Sequence, residues 1–276
     1  MAPRFFACFS GGRSRVRRST SPDAIATADL TPEEQRRLSP VLLELFCSQG
    51  CATSPEAEAI ATRLTRPDND SESVAGNLPP VVVLAFHVDY WDYNGWKDRF
   101  ASSAWTVRQK AYVEALRLDT LFTPQVVVGG RTECVGTDLD KVAATVRSAP
   151  RFTSPAMQVT FQRPTPETLQ ATFTGKLNMK IEGSVDIMVA FIENGLVTDV
   201  TSGVNNGRVL PNDHVVRRME KAASVSDLAP KKTVSATVQV QLWDGFNPAK
   251  TGILLFVQNS ALQVLGVQQL KLPQTV

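Results

Sequence analysis

Two short, unbroken apolar runs, Val41-Leu-Leu-Glu-Leu-Phe46 and Val81-Val-Val-Leu-Ala-Phe86, constrain the fold of this chain more than any other feature. The first is closed by the turn-forming Cys47-Ser-Gln-Gly50 and suits a buried strand. The second is largely β-branched and apolar throughout, the pattern of a parallel strand covered on both faces. Between them Thr53-Ser-Pro-Glu56 has the spacing of a capping box, and Ala57, Ile60, Ala61 and Leu64 fall on one helical face. Arg66-Pro-Asp-Asn-Asp70 ends that helix. The folded part of the chain therefore begins strand–helix–strand.

Further along, an aromatic loop, His87 to Trp96, precedes a helix expected over Thr106 to Leu116 with Val107, Ala111, Ala115 and Leu116 facing inward. Thr123 to Val128 and Arg131 to Val135 read as two strands joined at Gly129-Gly130, and Asp138 to Ser148 as a last helix on Leu139, Val142 and Val146. The order β-α-β-α-β-β-α predicts an α/β three-layer sandwich. After Pro150 the pattern changes. Runs at Met157–Gln162, Leu169–Thr174, Val185–Ile192, Thr233–Leu242, Ile253–Gln258 and Leu262–Val267 are separated by turn residues at intervals typical of a β-sandwich, with a helical stretch expected around Val215–Ala223. The expected organisation is a tail and linker over residues 1–39, with a short helix at Pro32–Leu38, an α/β domain over 40–150 and a β-rich sandwich domain over 151–276.

Composition narrows the class. At 276 residues with 43% hydrophobic side chains the chain has enough apolar material for a sizeable core. A net charge of +2 gives no electrostatic reason to expect nucleic acid as a partner. No apolar run approaches the roughly 18–20 residues of a membrane span, so a soluble protein is expected. The first 22 residues hold no Asp or Glu and are rich in Arg and Ser. They read as a disordered tail of a cytoplasmic protein or, alternatively, as a transit peptide to plastid or mitochondrion. Cys8 lies in this tail, where acylation is an option.

Four cysteines in a chain of this length do not make a disulfide framework. Cys51 is singled out by its position in Gly50-Cys51-Ala52-Thr53-Ser54-Pro55, where a strand gives way to a helix. A sulfur beside the unpaired amides of a helix start meets a positive partial charge that favours thiolate, the nucleophilic form. Ser54 offers a hydrogen bond to that anion, though it cannot attack a mixed disulfide as a thiol would. The competing reading makes Ser54 a helix cap and Cys51 an inert apolar residue. Thr123-Pro124 stands at the start of a strand, where a proline is permitted and, in a thioredoxin-like sheet, is cis and faces the redox cysteine. Cys47, four residues earlier, is either a resolving thiol for Cys51 or packed core, and Cys134 is expected to be structural. His87, Asp89 and Asp92 offer nitrogen and oxygen ligands close together, but with two histidines in the chain no metal is expected. Tyr90, Trp91, Tyr93 and Trp96 read as a wall beside the thiol, with Trp91 and Tyr93 as binding residues, or as a plain hydrophobic loop. Lys97, Asp98 and Arg99 are expected on a solvated face and His214 at a surface turn.

Glu44-Leu-Phe-Cys-Ser-Gln-Gly-Cys51, Phe86 to Asp98, Arg108-Gln-Lys-Ala-Tyr112 and Phe122-Thr-Pro-Gln125 together resemble the thioredoxin-like domain of unknown function 1223, known from bacteria and plants. Gly203 to Leu210 and Asn212 to Val216 look like that family's β-rich C-terminal part. The resemblance implies a thioredoxin-like fold and a redox-type site; bacterial members usually have Cys-x-x-Cys, where this chain has Ser54 in the second place. Two functions follow. One is monothiol thiol–disulfide exchange with Cys51 as nucleophile, Ser54 and Thr123 as polar support, Pro124 shaping the cleft, no cofactor, and glutathione or a protein thiol as partner. The other is a non-catalytic binding or scaffold module that keeps the fold.

Overall fold

The computed structural model describes residues 18–19, 30–66 and 78–276. Cys8 and most of the expected tail, residues 1–17 and 20–29, lie outside the described residues, as does most of the polar loop after the first long helix. Among the described residues the chain forms a mixed α/β fold with four α-helices and three β-sheets. That is consistent with a thioredoxin-related or β-sandwich-containing architecture.

A two-residue strand, β1 (Arg18–Ser19), pairs with a later strand, and a short helix, α1 (Pro32–Leu38), is closed by a capping box between Thr31 and Glu34. The strand–helix–strand unit follows as β2 (Val41–Cys47), α2 (Ser54–Leu64) and β3 (Val81–His87). β2 and β3 are fully buried, and they pair in parallel from Val41 with Val81 to Cys47 with His87. After α3 (Ser103–Leu116), β4 (Gln125–Val128) runs antiparallel to β2, and a two-glycine turn leads into β5 (Thr132–Val135) and α4 (Leu139–Ser148). Gly129 and Gly130 have φ of 58° and 66°, the sign a two-residue primed turn needs. A Cβ on Gly130 would lie 1.9 Å from the Leu262 carbonyl oxygen, so this turn is pressed against the distal half of the chain.

The remaining strands are β6 (Ala156–Thr165), β7 (Thr168–Lys176), β8 (Ser184–Glu193), β9 (Leu196–Asp199), β10 (Val209–Asn212), β11 (Val215–Ser226), β12 (Thr233–Gln241), β13 (Thr251–Asn259) and β14 (Val264–Lys271). They do not all form a separate body. One eight-stranded sheet runs β14-β13-β8-β11-β3-β2-β4-β5, so the sheet of the first half continues into four strands from beyond residue 150. A second sheet, β1-β6-β7-β12, covers one face of the distal strands and closes a core around Phe173, Leu169, Val189, Phe191, Leu255 and Val257. At the proximal end α2 and α4 cover one face, packing Ala57, Ile60, Ala61, Val142 and Val146 on Leu43, Leu45 and Val83. On the opposite face α3 places Trp105 and Tyr112 over residues from both halves, Leu42, Phe46 and Phe86 together with Ile192, Leu254 and Phe256.

Three expectations are corrected. Val215–Ala223 is not helical but belongs to the 12-residue strand β11, bonded along its length to β8. Its Arg-Arg-Met-Glu-Lys-Ala-Ala run consists of good helix formers, but propensity yields to tertiary context, and pairing with β8 overrides it. The inward face of α3 is Trp105, Thr106, Arg108, Gln109 and Tyr112, while Val107 is 64% exposed. That face is polar because it meets a buried carboxylate: Arg108 Nε and Nη2 donate to Glu44 in the middle of β2 at 2.6 and 2.9 Å, and the Tyr112 hydroxyl donates to it at 2.5 Å. Finally, Lys97 and Arg99 are exposed as expected, but Asp98 between them is buried.

Candidate functional site

The end of β2, the start of α2, the end of β3 and the start of β4 meet at one edge of the sheet, and the chemistry-bearing residues gather there. The loop Ser48–Thr53 is held by its own side chains. Ser48 N donates to Ser54 Oγ at 3.1 Å, Gly50 N to Ser48 Oγ at 3.0 Å, and Cys51 N to the Ser48 carbonyl at 3.1 Å. Thr53 is the N-cap of α2, yet its hydroxyl makes no capping bond; it lies 3.5 Å from Cys51 Sγ instead. The capping box expected here is therefore not formed, and the hydroxyl serves the thiol. Pro55 occupies the first turn of the helix, where a missing N–H is harmless.

Cys51 is 4% exposed. The Thr123–Pro124 peptide bond is cis, and the Cys51 thiol donates to the Thr123 carbonyl at 3.7 Å. Burial pushes the Cys51 thiol up, but hydrogen bonds with the side-chain hydroxyls of Ser54, Thr123 and Thr53 outweigh it, and the thiol lies below its ordinary value. Trp91 bridges the two sides of this cleft: its Nε1 donates to Thr123 Oγ1 at 2.7 Å, and a Cβ on Gly50 would meet Trp91 Cβ at 3.1 Å. Tyr90 donates to Gln109 Oε1 at 3.2 Å, and Tyr93 is 93% exposed. Trp91 thus touches the site, whereas Tyr93 has no recorded hydrogen bond to it.

Behind the loop lies a buried polar network. Gln49 N donates to Asp98 Oδ2 at 2.8 Å, and the same oxygen lies 2.7 Å from His87 Nδ1. Gln49 Nε2 donates to Thr198 Oγ1 and to Asn212 Oδ1, and Asn212 Nδ2 donates to Glu58 at 2.6 Å. Asn205, on the turn between β9 and β10, donates to the carbonyls of both Gln49 and Cys51, at 2.8 and 3.0 Å. The distal half of the chain therefore holds the backbone of the cysteine loop directly. Gly203 permits that approach, since a Cβ there would come within 2.9 Å of Trp96 Cβ.

Cys47 is fully buried, and burial pushes its thiol up to about 12 against the weaker pull of His87. Burial raises Glu58 as well. For His87 burial opposes the charge, but the Asp98 carboxylate outweighs it and raises the imidazole well above its ordinary value. The proposed neighbours of His87 are elsewhere: Asp89 accepts from Thr106 Oγ1 at 2.5 Å and Asp92 from Asp98 N at 3.1 Å. Its ligand-type neighbours are Cys47 and Glu58, with all three ligand atoms within 4.8 Å of one another. Cys134 is buried on β5, its thiol raised by burial to about 11, away from this edge of the network. His214 has φ of 58° and is partly buried between β10 and β11.

Sequence reasoning missed Glu58, Asp98, Gln49, Asn205 and Asn212. Glu58 carried a signal, a carboxylate on the same helical face as Ala57 and Ala61. The others lie in loops or short strands with no periodicity to mark a polar side chain as buried.

Fold and site together define a mixed α/β protein with a single helix-start cysteine set against a cis-proline, tied in place by a distal β-ribbon. The chain belongs to the family described as Protein of unknown function (DUF1223), whose model matches residues 42–258. Among solved structures it is similar to protein AGR_C_4864 from Agrobacterium tumefaciens, at 24% identity and a TM-score of 0.57, over 86% of this chain and 96% of that one. It is similar also to HBP35 of Porphyromonas gingivalis, at 14% identity and a TM-score of 0.57, over 86% of this chain and 78% of that one. At these identities the likeness is one of fold. Among curated proteins none matches the sequence significantly. No helix of the described residues is long and apolar enough to cross a membrane.

Proposed function

We propose that this protein is a monothiol thiol–disulfide exchange protein, built on a thioredoxin-like module over residues 40–150 whose sheet is extended by the β-rich half. The observation that carries the reading is the convergence of the Ser54, Thr123 and Thr53 hydroxyls on the Cys51 sulfur at the cis-proline. The Cys51 thiolate attacks one sulfur of a disulfide, forms a mixed disulfide and releases the other sulfur as thiolate. Pro124 and Thr123 shape the cleft for the partner, and Trp91 walls it. Ser54 stabilises the thiolate but supplies no second thiol. Cys47 is a poor resolving group, because it is fully buried and its thiol is held protonated. The mixed disulfide therefore persists until an external thiol, such as glutathione, resolves it. The alternative of a non-catalytic scaffold is favoured by one observation, the 4% exposure of Cys51, which limits access to the sulfur.

Incubation with oxidised glutathione separates the two. The native protein is expected to accumulate one glutathione adduct at Cys51, visible by intact-mass and peptide mass spectrometry, and to reduce insulin poorly. Ser54→Cys, with a second thiol one helical turn along, is expected to gain dithiol reductase activity that Cys51→Ser abolishes. An absence of adduct at Cys51 supports the scaffold instead.

A further inference from the structure

The parallel register of β2 and β3 puts Cys47 beside His87 at the ends of adjacent strands, and α2 returns over the same face with Glu58. The sulfur, an imidazole nitrogen and a carboxylate oxygen of these residues lie within 4.8 Å of one another, and all three side chains are at most 5% exposed. Two atoms of these side chains, His87 Nε2 and Glu58 Oε1, make no well-formed hydrogen bond among the described residues, although the Cys47 thiol interacts with both side chains. A buried polar atom left without a partner is costly, and two on neighbouring side chains call for an explanation. The Cys47 thiol carries one proton and satisfies only one of them at a time. A cation satisfies all three groups at once.

We propose that Cys47, Glu58 and His87 bind one zinc ion, forming a structural centre beneath the Cys51 loop and separate from the exchange site. The outer contacts are those such a centre requires. Asp98 Oδ2 sits 2.7 Å from His87 Nδ1, which orients the ring and directs Nε2 at the cluster. Asn212 Nδ2 donates to Glu58 Oε2 at 2.6 Å and fixes the carboxylate in the same way. One sulfur, one nitrogen and one oxygen suit zinc, whereas magnesium and calcium take shells of oxygen. His87 Nε2 and Glu58 Oε2 are 3.9 Å apart. Bonds of about 2.0–2.2 Å to a tetrahedral zinc would set such atoms about 3.3–3.5 Å apart, a closure of a few tenths of an ångström. The fourth position is left to water or to the second oxygen of Glu58. As the zinc bonds form, the Cys47 thiol proton and the proton that a charged His87 carries on Nε2 leave to solvent, and the ring binds through the freed lone pair of Nε2 while Nδ1–H stays on Asp98. With the cluster this deeply buried, the metal enters as the chain folds.

The test uses the full chain. Protein produced in zinc-supplemented medium and exchanged into metal-free buffer is expected to carry one zinc per chain by elemental mass spectrometry. Protein unfolded in denaturant with chelator and refolded with cobalt(II) is expected to show intense tetrahedral ligand-field bands and a near-ultraviolet thiolate-to-cobalt charge-transfer band. Cys51→Ser retains both signals, and Cys47→Ser loses the charge-transfer band. If Cys47→Ser does not fold, the comparison of the native chain with Cys51→Ser still decides. Refolded native protein without a charge-transfer band overturns the proposal, and so does a band that disappears in Cys51→Ser.

Discussion

Ser54 shows how much one side chain does at this site. Its hydroxyl oxygen accepts the buried Ser48 N–H at 3.1 Å, and its proton is available to the Cys51 sulfur. Replacing it by alanine removes a donor to the thiolate and orphans a backbone donor. Ser54→Ala is expected to slow alkylation of Cys51 at neutral pH several-fold and to cost about 1–3 kcal/mol of stability in chemical denaturation. Unchanged alkylation would mean that the thiolate does not draw on Ser54. At this scale the sequence was partly legible. Cys51, Ser54 and Pro124 stand out because a strand-to-helix junction and a strand-initiating proline have local signatures. Asp98 does not, because its burial depends on His87, 11 residues away, and the helical face that marks Glu58 does not reveal its partner Asn212, 154 residues away.

Among the elements, α3 departs furthest from its hydrophobic pattern. Val107 and Ala111 suggested one face, but the buried carboxylate of Glu44 dictates another, turning Arg108 and Tyr112 inward. A charge buried in a central strand is tolerated only when its partner is fixed, and the guanidinium also lies over the rings of Phe86, Tyr112 and Phe256. Arg108→Ala is expected to destabilise the protein by about 3–5 kcal/mol, read from denaturant midpoints, because it strands Glu44 in the core. Glu44→Leu combined with Arg108→Met is expected to recover much of that loss. An Arg108→Ala cost near zero would show that water reaches Glu44. Strands β2, β3 and β4 were legible for the converse reason, since an unbroken apolar run has few other places to go. β11 was not: its alternation is blurred by two register shifts, one between Val216 and Arg218 and one between Lys221 and Ala223.

Across the whole molecule, the change of pattern after Pro150 is real in the sequence, but it does not interrupt the sheet. β11 pairs with β3 through Val215 and Ala85, Val264 N donates to the Gly129 carbonyl at 2.9 Å, and Gln258 donates to the Tyr112 hydroxyl at 3.1 Å. Long-range strand pairing of this kind leaves no local trace in a sequence. A chain starting at residue 30 is therefore expected to unfold in a single calorimetric transition. A fragment of residues 40–150 is expected to aggregate or to lack a cooperative transition, since β3 becomes an open edge and Phe46 and Phe86 lose the cover of Ile192 and Phe256. Two separate transitions, or a stable fragment, would show that the halves fold independently.

Activation of Cys51 is the central claim, and the pH dependence of its alkylation tests it most directly. The rate of iodoacetamide labelling at the Cys51 peptide, followed by mass spectrometry across pH, reports the thiolate population, and the same protein unfolded in urea provides the reference. Because the folded thiol lies below its ordinary value, the native midpoint is expected at lower pH than the unfolded one, with Cys47 unlabelled in the native protein throughout. A native midpoint equal to or above the unfolded one, or a Cys51 that resists labelling at every pH, would contradict the account.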